Sequence, residues 1–154
     1  MLKFLIKKYE GVYGVKKTKV IFLCTGNSAR SQMAEAFLRK YSGDQFEAYS
    51  AGLEAQGVHK YTKQVMDEIG IDISEQYSKP LDQYLGEKHF GIIITVCEKV
   101  EKECPIFPGV STRLYWPFDD PRGFEGTREE KLEKFREVRD QIEKKIKEFI
   151  KNRK

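Results

Sequence analysis

The sequence predicts an α/β fold, a single domain built on a four-stranded parallel sheet flanked by helices. Three observations point there. From Lys19 onward, apolar runs of strand length alternate with amphipathic segments that carry helix start and stop signals. The runs at 20–23 and 90–96 are almost continuously apolar, as strands buried on both faces are. Both runs also end at a cysteine, Cys24 and Cys97.

In chain order, the first strand spans 20–23. A helix over 31–41 follows, with Met33, Ala34, Phe37 and Leu38 on one face and Gly43 just past its end. A second strand over 46–51 leads to a helix over 61–69 that stops at Gly70. The third strand is 90–96, and a short fourth strand covers 114–116. The last helix has the fullest signals. Thr127 and Glu130 form a capping box, and Leu132, Phe135, Val138, Ile142, Ile146 and Phe149 recur at three- and four-residue steps, which predicts a helix lying on the sheet. Residues 1–18 do not fit the alternation and are expected to be an N-terminal extension to a domain at 19–154.

With 154 residues and 40% hydrophobic content, the chain can bury one core. No run of about 18 apolar residues exists, and the first apolar stretch is short and broken by lysines, so a soluble cytoplasmic protein is expected. A net charge of +4, with many lysines at the two ends, suits a solvated surface better than a nucleic-acid or membrane interface. Three cysteines are an odd count without an export signal, which turns attention from structural disulfides to thiol chemistry. His59 and His89 lack zinc-motif spacing to any cysteine and read as surface residues; no metal is expected.

The carboxyl end of a strand in such a sheet is where ligands bind, and Cys24 is delivered there. The residues after it, Thr25, Gly26, Asn27, Ser28, Ala29, Arg30 and Ser31, can curl around a tetrahedral anion. Gly26 tolerates positive φ, Asn27 tolerates the left-handed region, and successive N–H groups can point inward. The helix beginning near Ser31 adds its positive end, and Arg30 adds a fork that can clamp two oxygens. These charges favour a thiolate at Cys24, with Ser28 or Ser31 as hydroxyl donors, and make it the candidate nucleophile. The leaving oxygen needs a proton. Asp120, in Phe118-Asp119-Asp120-Pro121, is the favoured acid and Asp119 the fallback, against the plainer reading of an Asp-Pro turn.

Cys-x5-Arg-Ser after the first strand and Asp-Pro before the last helix resemble the low-molecular-weight protein tyrosine phosphatase superfamily. Within it, residues 20–36, Tyr49-Ser50-Ala51-Gly52, Gly70-Ile71-Asp72-Ile73-Ser74 and residues 118–121 resemble the thioredoxin-coupled arsenate reductases. The resemblance implies reduction of arsenate to arsenite. Cys24 would form the arseno adduct, Cys97 would attack Cys24 and release arsenite, and Cys104 would then take Cys97 into a disulfide recycled by thioredoxin. It implies no tightly bound cofactor and a monomer. Arsenate reduction takes two electrons, which two thiols can supply, whereas a phosphatase needs one cysteine. Cys97 also has the plainer reading of a core residue, and a phosphatase or a three-thiol arsenite or metal sensor remain alternatives. Some members hold potassium with residues matching Asn27, Glu35, Ser50 and an aspartate. Lys79 stands in the aspartate's place here, which speaks against a potassium site.

Overall fold

The computed structural model describes residues 16–84, 86–103 and 112–153. Most of the expected N-terminal extension and Cys104 lie outside the described residues. The chain alternates strands and helices in the order β1 (Thr18–Cys24), α1 (Arg30–Ser42), β2 (Phe46–Gly52), α2 (Lys60–Glu68), β3 (Ile92–Thr95), α3 (Glu98–Glu103), β4 (Thr112–Tyr115) and α4 (Arg128–Lys151). Two 3₁₀ turns, Leu81–Gln83 and Pro121–Gly123, complete it.

The four strands form one parallel sheet in the order β2-β1-β3-β4. Parallel strands need crossover connections, and α1 supplies the first, packed against β1 and β2. In the register, Leu23 pairs with Ala51 on one side and Thr95 on the other, so β1 and β3 end together in the middle of the sheet. The apolar run of β1 is fully buried, as its composition requires. The β4 edge strand alternates between half-buried and exposed.

α4 begins at Thr127 with both capping-box hydrogen bonds present. The predicted apolar positions Leu132, Phe135, Val138, Ile142, Ile146 and Phe149 are all buried. The helix packs mainly on α1 and α2 and meets the sheet side through Phe149, whose ring lies 5.5 Å from those of Phe46 and Trp116. Trp116 is therefore part of the core. No helix among the described residues is long and apolar enough to cross a membrane.

Candidate active site

Residues 25–29 leave β1 and turn back into α1 around an open loop. Every carbonyl from Cys24 to Ala29 is taken up from outside that loop. Leu53 N donates to Cys24 O (3.2 Å), Glu54 N to Thr25 O (3.1 Å), Gln56 N to Gly26 O (3.0 Å) and His59 N to Ser28 O (3.0 Å). Gln32 Nε2 donates to Asn27 O (3.1 Å) and Met33 N to Ala29 O (3.0 Å). Because each peptide unit is planar and trans, a carbonyl turned outward puts the next N–H on the inner side. The strip at 53–59, unremarked in the sequence, thus shapes a loop whose inward amides could cradle an anion. Asn27 N donates to Cys24 Sγ at 3.2 Å.

The special backbone position is Asn27, at φ 51°, as its side chain permits. Gly26 departs from expectation, since its φ is not positive. A Cβ there would meet the ends of two flexible side chains, Gln56 Oε1 and, at 2.9 Å, Arg122 Nη1, which would have to shift aside. Gly52 closes against the same loop, where a Cβ would meet Asn27 N at 2.7 Å and Thr25 O at 2.8 Å. α1 starts at Arg30 without a side-chain cap, which leaves its first-turn amides to the loop.

Cys24 Sγ lies 2.7 Å from Ser31 Oγ. Asn27 Nδ2 donates to Ser31 Oγ at 2.8 Å, which leaves the Ser31 hydroxyl hydrogen for the sulfur. Of the two serines considered, Ser31 is therefore the one on the thiol, while the Ser28 carbonyl accepts from Thr62 Oγ1 and His59 N. Asn27 Nδ2 also donates to Ser50 Oγ (2.9 Å), and Ser50 Oγ donates to Glu35 Oε1 (2.7 Å). Lys79 Nζ stands 3.7 Å from that carboxylate oxygen and donates to Tyr77 O at 2.6 Å. Burial pushes the Lys79 ammonium below the usual lysine range, against the opposing pull of Glu35. Asn27, Glu35, Ser50 and Lys79 thus form one buried network, with an ammonium where a potassium ion would need an oxygen ligand. These residues do not fit a potassium ion.

Arg30 is buried, donates to Phe118 O at 3.2 Å and stands 3.4 Å from Asp120 Oδ2. Burial raises the Asp120 carboxyl, but hydrogen bonds from Arg122 and the charge of Arg30 outweigh it and hold the group below the usual range. Asp119 points elsewhere, to Lys134 on α4 at 3.1 Å. Cys97, buried at the end of β3, reaches the loop through a 3.3 Å contact between its Sγ and Thr25 Oγ1. It is therefore both a core residue and a neighbour of the cradle.

One further side chain was not legible in the sequence: Arg122 reaches over the loop from the turn after Asp120. His59, expected at the surface, is instead half-buried, because it caps α2 by accepting from Tyr61 N at 3.0 Å and its ring lies 4.9 Å from that of Phe135. Burial, then the charges of Arg122 and Lys60, hold its pKa below the usual histidine value.

The family model for low molecular weight phosphotyrosine protein phosphatases matches residues 19–154. The chain belongs to that family. Within this phosphatase family, an arsenate reductase of Halalkalibacterium halodurans is 50% identical over 135 residues, 88% of this chain and 96% of that protein. A solved structure of an arsenate reductase in its oxidised state matches with a TM-score of 0.73 at 32% identity, covering 88% of this chain and 98% of the other. A thioredoxin-dependent arsenate reductase of Corynebacterium glutamicum matches with a TM-score of 0.60 at 28% identity, covering 90% of this chain and 66% of that one.

Proposed function

We propose that this member of the phosphatase family is an arsenate reductase whose electrons come from thioredoxin. The observation that carries the reading is a second thiol beside the cradle: Cys97 Sγ contacts Thr25, the residue next to Cys24, from the neighbouring strand. A phosphatase needs only the first thiol. The high identity to arsenate reductases supports the same reading.

The oxyanion sits in the loop of residues 24–31, held by inward amides and the Arg30 fork. Cys24 thiolate attacks arsenic, and one oxygen leaves as water after receiving a proton from Asp120. In the free protein Asp120 is a carboxylate paired with both Arg122 and Arg30; an anion that draws both guanidinium groups to itself loosens that pairing and raises the carboxyl toward an acid's role. The Cys97 thiolate then attacks Cys24 Sγ. The As–S bond breaks, its electron pair stays on arsenic, and arsenite departs with the two thiols joined as a disulfide. Cys104 attacks Cys97 Sγ, freeing Cys24 as thiolate, and thioredoxin reduces the Cys97–Cys104 bond. Lys79 takes the place of a bound cation, keeping the Glu35–Ser50–Asn27–Ser31 chain fixed under Cys24. Such a relay belongs in a reducing compartment, the cytoplasm.

The test compares arsenate turnover driven by a thioredoxin system with hydrolysis of an aryl phosphate. Wild type should reduce arsenate over many cycles, and Cys24→Ser should lose both activities, because a serine hydroxyl in this loop does not ionise. Robust aryl phosphate hydrolysis without arsenate turnover would make the chain a phosphatase.

A further inference from the structure

Arg122 does more than pair with Asp120, because it spans the mouth of the cradle. Its Nε and Nη2 donate to the two oxygens of Asp120 at 3.2 and 3.1 Å, and its Nη1 donates to Gln56 Oε1 at 2.5 Å. Gln56 is itself fixed to the loop, because its amide donates to Gly26 O at 3.0 Å. The strap therefore runs from one wall to the other directly above Gly26, and its side chain is only 22% exposed despite lying at the surface. Burial opposes the guanidinium's charge, and the Asp120 carboxylate outweighs it and holds Arg122 above the usual arginine range.

In-line attack fixes what meets the strap. A tetrahedral oxyanion bound over Cys24 turns three oxygens into the loop, and the fourth, the leaving oxygen, points away from the sulfur toward the mouth. In free arsenate or phosphate that fourth oxygen is small and polar, and a guanidinium fork can hold it. In an organic monoester it carries a group that must pass where Arg122 and Gln56 meet. We propose that Arg122, bridging Gln56 and Asp120 across the mouth, is a specificity-determining residue that selects a free inorganic oxyanion over an organic phosphate monoester. The proposal rests on the Cys24 loop being the oxyanion site.

The probes are inorganic phosphate, followed by calorimetry, and 4-nitrophenyl phosphate, followed by hydrolysis. In Arg122→Ala, phosphate affinity should fall about tenfold with the loss of charge-assisted hydrogen bonds, while ester kcat/KM rises. Gln56→Ala removes the far anchor without touching Asp120 and should shift the ratio of ester turnover to phosphate affinity in the same direction. Arg122→Lys keeps the charge but not the fork and should lie between. Unchanged phosphate affinity in Arg122→Ala and Gln56→Ala, or ester turnover and phosphate affinity falling by the same factor, would overturn the proposal. A wild type that hydrolyses the ester but fails to reduce arsenate would refute the reductase reading alone, since the ratio still decides the role of Arg122.

Discussion

Lys79 turns a buried carboxylate into the foot of the hydrogen-bond chain that ends at Cys24. Glu35 and Lys79 are both almost fully buried, and the ammonium is held by Tyr77 O and lies 4.7 Å from the Tyr77 ring centre. Among the described residues no buried side-chain nitrogen or oxygen lacks a hydrogen bond, and Lys79 already supplies a positive charge beside Glu35. Melting temperature and activity should accordingly be the same in potassium and in a large organic cation at equal ionic strength. Lys79→Met should cost about 3 kcal/mol by stranding Glu35, the lower end of the range for broken buried pairs because Arg39 and Ser50 still hold that carboxylate. Stabilisation specific to potassium in the wild type, seen by thermal melting, would contradict the assignment. Residue identities made much of this visible. Asn27 was legible as a left-handed position from its side chain alone. Gly26 was legible as a small loop residue but not by its neighbours, because the atoms a Cβ would meet are side-chain ends of Gln56 and Arg122 from distant parts of the chain.

At the scale of elements, α3 carries the largest demand for motion. Were the helix to extend from residue 97 through 104, seven steps would span about 10.5 Å, whereas a disulfide tolerates roughly 4.4 to 6.8 Å between Cα atoms. On that geometry the proposed Cys97–Cys104 bond requires Glu98–Glu103 to unwind. That unwinding is less free than the polar sequence implies. Val100 is buried, Glu101 is bonded to Thr95 Oγ1, and Arg113 Nη2 donates to Glu101 O at 3.1 Å. Amide exchange across 98–103 should be faster in the oxidised protein than in the reduced one, with the loop at 24–31 less affected. Equal protection in both states, with the disulfide confirmed by mass spectrometry, would remove the switch. The same contrast explains which elements could be read in advance. β1 and α4 declare themselves by apolar runs and periodicity, whereas α3 has one apolar residue in six and is defined by tertiary contacts instead. The strip at 53–59 forms no regular element, and its work on the loop carbonyls leaves no pattern in the sequence.

Across the whole molecule, the strand order decides the chemistry. With β2 on one side of β1 and β3 on the other, the chain reverses direction across the sheet between β1 and β3, the place where parallel sheets open a crevice at their carboxyl ends. Both strands deliver a cysteine to that crevice, and Thr25 joins them. The sequence supplied the four strands and the two cysteines at their ends; that β1 and β3 are neighbours follows from pairing, which local pattern does not encode. The central claim is that these thiols supply both electrons. It is tested most directly by mixing fully reduced protein with arsenate, with no reductant present, and measuring arsenite and free thiols in the same sample. The account predicts about one arsenite and the loss of two thiols per chain, with the new disulfide mapped to Cys97 and Cys104. Arsenate bound without loss of thiols, and no arsenite formed, would contradict it.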